Sequence, residues 1–173
     1  MNVPYPFLAG LFLLCLAIRG TYELLKEAGK IDLESKPVFI AIFSTMILLW
    51  ASWFTLCPLD PSKVDLPRFL TASGLIIVVL GTFLAVGAFI QLRSVENVDH
   101  LVTTGLFKRL RHPMYLGFMS WILGWSIFHG APVSLAIGSV AIASILWWRH
   151  LEERRLGQQF GDNYARYRAG TWW

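Results

Sequence analysis

Two short runs of this 173-residue chain bring together residue types that can do chemistry. The first is Arg111, His112, Pro113, Met114 and Tyr115: a cation, an imidazole and a phenol around a proline. The second is the adjacent pair Glu152 and Glu153, flanked by Arg149, Arg154 and Arg155. Pro113 reads as a helix start, because proline's missing N–H has no intrahelical partner at a first helical position. The free N–H groups and positive dipole end of such a start suit an anionic group such as a carboxylate. His112 and Tyr115, three residues apart, share a helical face. The alternative is that Arg111 and His112 are interfacial residues and Tyr115 belongs to an aromatic belt. The glutamate pair also has two readings. Placed just after a long apolar run, it sits where a helix end disfavours anions. Either the three arginines neutralise it, or one carboxylate receives a ligand ammonium.

The elements that position these runs are apolar. Hydrophobic residues make up 55% of the chain, above the roughly 45–50% of soluble domains, and the mean hydropathy is +0.55. Charges fall between long uncharged stretches, and about 18 or more such residues form a candidate membrane helix. Five stretches qualify or nearly do: Val3 to Ile18, Pro37 to Leu56, Phe69 to Leu92, Pro113 to Phe128 and Ala131 to Trp148. Only His129 and Gly130 separate the last two, which predicts a tight helical hairpin. Such a hairpin sets Pro113 beside Trp148, so the two polar runs face one another across one pocket. The fold expected is an all-α integral membrane protein of five transmembrane helices. The last two form a hairpin, a cytoplasmic polar loop precedes the fourth, and a C-terminal helix follows the fifth. Residues 1–173 form a single membrane domain.

Orientation follows from basic residues. Thirteen of the fifteen lysines and arginines fall in the first loop, the third loop and the tail. Positive loops stay cytoplasmic, so the N-terminus is expected outside and the C-terminus inside, in a prokaryotic inner membrane or the endoplasmic reticulum. The net charge of +4 comes from this bias, and no basic soluble face points to nucleic acid. The start of the chain lacks the positive n-region and small-residue cleavage site of a signal peptide and is expected to be a retained helix. Arg19 to Lys36 reads as a short interfacial helix. Cys15 and Cys57 are expected on opposite halves of the membrane, without a disulfide. His129 reads as a solvated turn residue, and Tyr164, Tyr167, Trp172 and Trp173 as interfacial anchors. No spacing of histidines, cysteines or carboxylates suggests a metal site.

A family resemblance covers residues 91–168, proposed as the catalytic core. His100 to Phe107 (His-Leu-Val-Thr-Thr-Gly-Leu-Phe) and Arg111 to Gly117 (Arg-His-Pro-Met-Tyr-Leu-Gly) come first. Glu152 and Glu153 follow with Leu156, then Phe160, Gly161, Tyr164 and Tyr167. In this order and spacing they resemble the isoprenylcysteine carboxyl methyltransferase family, which belongs with the membrane phospholipid methyltransferases. The resemblance implies S-adenosylmethionine as cofactor and a lipid-borne or other apolar methyl acceptor. It implies that the cytoplasmic loop before the fourth helix is cofactor-binding, within an enclosure of Gln91, His100, Leu101, Val102, Phe107, His112, Pro113, Met114 and Tyr115, with Glu152 taking the cofactor's ammonium. Three positions depart from the family. Phe107 stands where the family has tyrosine, and Asp99 where it has the histidine that here is His100. Trp148 stands where the prenylcysteine enzymes carry the arginine for the acceptor carboxylate. Arg149, its neighbour, is the cation this chain offers to the acceptor.

Methyl transfer from a sulfonium is an in-line displacement, so alignment and a dry pocket supply much of the rate. An amine, phenol or thiol acceptor needs a proton removed, for which His112 or Glu153 can serve; a carboxylate needs none. Two other classes compete. A membrane sterol or enone reductase using NADPH has a similar C-terminal pattern, but the paired glutamates and short chain argue against it. A non-enzymatic scaffold or transporter fragment is disfavoured because a transport pathway normally needs an ionisable residue within a span.

Overall fold

The computed structural model describes residues 4–32, 35–92 and 101–173; the expectation for His100 falls outside them. The described chain forms six α-helices: α1 (Tyr5–Glu27), α2 (Lys36–Leu56), α3 (Arg68–Leu92), α4 (Pro113–His129), α5 (Pro132–Phe160) and α6 (Asp162–Ala169). Single 3-10 turns follow α2 (Cys57–Leu59) and precede α4 (Gly105–Lys108). Four helices are long and apolar enough to cross a membrane: α1, α2 with its 3-10 extension, α3 and α5. The fourth candidate, α4, has 17 residues, about 26 Å at 1.5 Å per residue.

Two helices outrun the spans drawn from hydropathy. The expected interfacial helix after Arg19 is instead the last third of α1, which continues to Glu27. Charge ends a hydrophobic run, but it does not end a helix when it pairs one turn along. Here Arg19 Nη1 meets Glu23 Oε1 at 2.6 Å. Likewise α5 continues twelve residues past Trp148 and stops where Gly161 takes a positive φ of 50°. Glu152 and Glu153 therefore lie within a helix, away from its end.

Phe12, Trp53, Leu56, Cys57, Ile122 and Ile145 form the core where α1, α2, α4 and α5 meet. The closest packing is between α3 and α4. A Cβ on Gly74 would stand 2.7 Å from the Gly124 carbonyl oxygen, and one on Gly117 would stand 2.6 Å from that of Gly81. Only small residues permit such an approach, which provides packing where lipid removes the hydrophobic drive between helices.

The connection from α4 to α5 is pinned from two sides. Gly130 adopts the left-handed conformation at the α4 C-cap, and its carbonyl accepts from the Val64 amide at 2.9 Å. Asp60, buried, accepts from the Ser134 amide (2.6 Å), the Ser134 hydroxyl (2.7 Å) and the Ser62 amide (2.9 Å). It thereby satisfies an orphan donor in the first turn of α5. Tyr5 Oη lies 3.1 Å from Ser134 Oγ, which ties α1 to the same point. Burial alone would raise the Asp60 carboxyl; the Ser134 and Ser62 hydrogen bonds and the Lys63 charge outweigh it and hold the group below its ordinary value. His129, expected to be solvated, is half-buried against the rings of Trp125 (4.4 Å) and Phe128 (4.9 Å).

Candidate functional site

At the opposite end of the bundle, the start of α4 meets the distal part of α5. No side chain caps α4, so its first amides stay open toward whatever lies before them. His112 immediately precedes the helix and is buried, with Nε2 3.3 Å from Glu153 Oε1 and Nδ1 3.6 Å from Glu152 Oε2. Tyr115 stacks on the imidazole, with centroids 5.6 Å apart and planes at 13°. The predicted juxtaposition of the two polar runs is thus present.

The two glutamates are not equivalent. Glu153 Oε1 takes Arg111 Nε at 3.1 Å, His112 Nε2 at 3.3 Å and Arg149 Nη2 at 3.5 Å, and its side chain is 12% exposed. Glu152, 32% exposed, has a loose 3.6 Å ion contact to His112 and interacts with the Tyr115 hydroxyl, with no arginine bound to it as closely as to Glu153. One carboxylate is consumed by the scaffold and the other faces open space.

Arg111 extends the scaffold into the tail. Its Nη1 donates to the Thr171 carbonyl at 2.8 Å and the Arg168 carbonyl at 3.3 Å, and its amide donates to the Trp172 and Trp173 carbonyls. The Trp172 amide returns a bond of 2.8 Å to the Arg109 carbonyl. Trp173 consequently stands edge-on to His112 and under the Arg149 guanidinium, 4.7 Å from it. Tyr167 donates to the Phe107 carbonyl at 2.7 Å. Tyr164 is buried, with no hydrogen-bond partner for its hydroxyl among the described residues. Burial pushes both phenols up to about 12, helped for Tyr164 by the Glu153 charge. Of these two tyrosines, both expected as interfacial anchors, Tyr167 ties α6 to the loop before α4 and Tyr164 is buried within the protein.

A cavity of about 590 Å³ opens beside this cluster, within the ~300–1,000 Å³ usual for small-molecule sites. Phe107, His112, Pro113, Met114, Tyr115 and Glu152 line its polar end. Its apolar part follows α2 and α3 to the aromatic floor of Trp50, Phe54 and Trp121. From Pro113 to Trp121 that is about 12 Å along α4. Its flanks include the exposed side chains of Phe39, Phe43 and Ile47 on α2 and Phe89 on α3.

The other expected residues among those described do not line this cavity. Leu101 and Val102 are half-buried in the loop before it. Gln91 braces that loop: its Oε1 accepts from the Leu106 amide at 3.0 Å. Arg149 points away, into the Trp173 and Glu153 cluster. Arg19, given no role in the sequence, does line the cavity. The available signal was a cation four residues before a glutamate, directly after an apolar run.

Residues 69–163 match the phospholipid methyltransferase family. The chain belongs to that family. It is similar to protein-S-isoprenylcysteine O-methyltransferase of Schizosaccharomyces pombe, 36% identical over 99 residues, covering 51% of this chain and 42% of that protein. Isoform B of the Arabidopsis thaliana protein of that name is 32% identical over 108 residues, covering 54% and 53%. The Mus musculus protein is 26% identical over 137 residues, covering 68% and 46%. The chain spans about half the length of the curated relatives it matches. No solved structure matches it. The family match includes α4, α5 and both glutamates, but excludes α1 and α2.

Proposed function

We propose that the protein transfers a methyl group from S-adenosylmethionine to an apolar, lipid-borne acceptor at the cytoplasmic face of a membrane. The observation that carries this reading is the continuity of one cavity. Its polar end offers a loosely held, partly exposed carboxylate and open helix amides, and its apolar part leads out between α2 and α3.

The residues fit the cofactor. Glu152 suits an ammonium, and the first amides of α4 at Met114 and Tyr115 suit a carboxylate. Phe107, Pro113 and Tyr115 supply apolar and aromatic surface, while Leu101 and Val102 belong to the enclosing loop and Gln91, on α3, braces it. When bound, S-adenosylmethionine supplies an electrophilic methyl on a sulfonium. The chain's own part is then alignment and exclusion of water. Glu153 positions His112 through Nε2 and fixes Arg111, with Arg149 completing the set. His112 is the group within the cavity that can accept a proton from an amine, phenol or thiol acceptor.

In this reading the chain crosses the membrane five times, with α4 and α5 as a hairpin, and the bias of basic residues supports this end of the bundle being cytoplasmic and the Asp60 end external. The acceptor reaches the cavity laterally from the bilayer, past Phe39, Phe43 and Phe89. S-adenosylhomocysteine titrated into detergent-purified protein should bind with one-to-one stoichiometry, and no heat of binding would defeat the reading. Reporters should read cytoplasmic after Trp173 and external near Asp60. The same side for both would overturn the five-span arrangement.

A further inference from the structure

Arg111, His112 and Arg149 converge on Glu153 Oε1, and each of them also touches the segment at the end of α6 and beyond. Arg111 donates to the carbonyls of Arg168 (3.3 Å) and Thr171 (2.8 Å), and its amide donates to those of Trp172 and Trp173. The Arg149 guanidinium lies 4.7 Å over the centre of the Trp173 ring. His112 meets the edge of the same ring, with centroids 6.2 Å apart and planes at 89°. Arg168 brings its own Nη2 to 4.0 Å from Glu153 Oε2. Residues 168–173 lie beyond the family-matched residues 69–163, so this hold on the cations is an addition of this chain to the matched core.

Helix geometry alone does not assign Arg149 to one glutamate. It precedes Glu152 by three residues and Glu153 by four, and both spacings allow a pair along a helix. Its Nη2 nevertheless goes to Glu153, at 3.5 Å. The Trp173 ring supplies the bias. A guanidinium is attracted to an indole face, and stacking fixes the plane of its fork. To reach Glu152 the fork would have to leave that face. Glu152 therefore keeps its place on the cavity wall, with His112 at 3.6 Å and the Tyr115 hydroxyl as its neighbours. Arg155, three residues beyond it, acts on it through space, with no ion pair between them among the described residues.

We propose that Trp173 is a positioning residue for the cofactor: by holding Arg149 on Glu153 it keeps Glu152 open to the cofactor's ammonium. This rests on the reading of the cavity given above. The test compares S-adenosylhomocysteine with its deamino analogue, which lacks the ammonium, each titrated calorimetrically into the detergent-purified full chain. The wild-type protein should prefer S-adenosylhomocysteine. Trp173→Ala should reduce that preference about 2- to 30-fold, the range of a cation–π contact, and leave affinity for the analogue unchanged. Trp173→Phe keeps an aromatic face and should retain most of the preference. Adding Arg149→Met to Trp173→Ala removes the competing cation and should restore it, which no loss of mere support would allow. If Trp173→Ala does not fold, Trp173→Leu keeps the apolar bulk without a ring face and should show the same loss. An undiminished preference in a folded variant, an equal loss of both ligands, or no recovery on removal of Arg149 overturns the assignment. Wild-type protein that binds both ligands equally also overturns it, since Glu152 then takes no ammonium. Wild-type protein that binds neither refutes the cofactor reading instead. Proton exchange at the Arg149 guanidinium then judges Trp173: it should quicken in the Ala or Leu variant, and unchanged exchange removes Trp173 from this role.

Discussion

At one end of the bundle, Asp60 is buried and accepts three hydrogen bonds from Ser62 and Ser134. At the other end, Glu153 is equally committed, but its neighbour Glu152 is held only loosely, by His112 and the Tyr115 hydroxyl, and lines the cavity. Both clusters join a carboxylate to the polar groups of neighbouring helices. The difference lies in whether the donors and acceptors close on themselves. A closed set fastens helices together, whereas a set with one member left over needs a ligand to complete it. Buried polar groups are strongly driven to find partners, so the unmatched member marks the site better than charge content does.

The comparison breaks most readily at Glu152. Glu152→Gln should weaken S-adenosylhomocysteine binding about 10- to 150-fold, the value of one charge-assisted hydrogen bond of about 1.5–3 kcal/mol, with little change in unfolding temperature. Calorimetric titration beside a thermal melt reads both, and unaltered affinity would mean that Glu152 only balances nearby arginines.

The reciprocal change at the closed end should reverse the pattern. Asp60→Ala should cost roughly 1.5–3 kcal/mol of stability by leaving the Ser62 and Ser134 donors unmatched, with cofactor affinity retained. Denaturant titration in detergent measures it. Acid sharpens the same contrast. Because the folded Asp60 carboxyl lies below its ordinary value, its contribution is full above about pH 4 and is lost as pH falls through the folded value. Wild-type protein should lose stability over that acid range, and Asp60→Asn should lose less. Parallel curves would remove Asp60 from the account.

The smallest effect is expected where the two kinds of cluster grade into one another. Tyr167→Phe deletes the bond to the Phe107 carbonyl and should cost about 0.5–1.5 kcal/mol. Hydrogen exchange should localise the change to Gly105–Lys108 and α6. A global change in exchange would show that α6 supports the whole bundle.

The confrontation of the Arg111–Tyr115 run with Glu152 and Glu153 was legible in the sequence, because a two-residue connection leaves antiparallel helices no other course. Arg19 was not legible, since its place depends on which face α1 turns toward Trp148, and a nearly uniform apolar helix does not announce that face. Tyr164 and Tyr167 misled for a related reason: two aromatics three apart define a stripe without saying whether lipid or protein covers it. Gly74 and Gly81, like Gly117 and Gly124, stand seven residues apart, two helical turns. Only the packed helices show that the two series interlock. The glutamate pair was singled out for a position at a helix end that α5 does not have.

The glycine contacts between α3 and α4 also determine how the molecule can breathe. Backbones in direct contact cannot slide without collision, so these two helices form a stiff plate carrying one wall of the cavity. The opposite wall belongs to α2, which packs chiefly on α1. A bulky tail on the proposed acceptor would therefore be admitted by movement of the end of α2 at residues 39–47, which lies clear of the bonds that tie Trp53 and Phe54 to α4, and this makes that end the compliant jaw and the glycine seam the anvil.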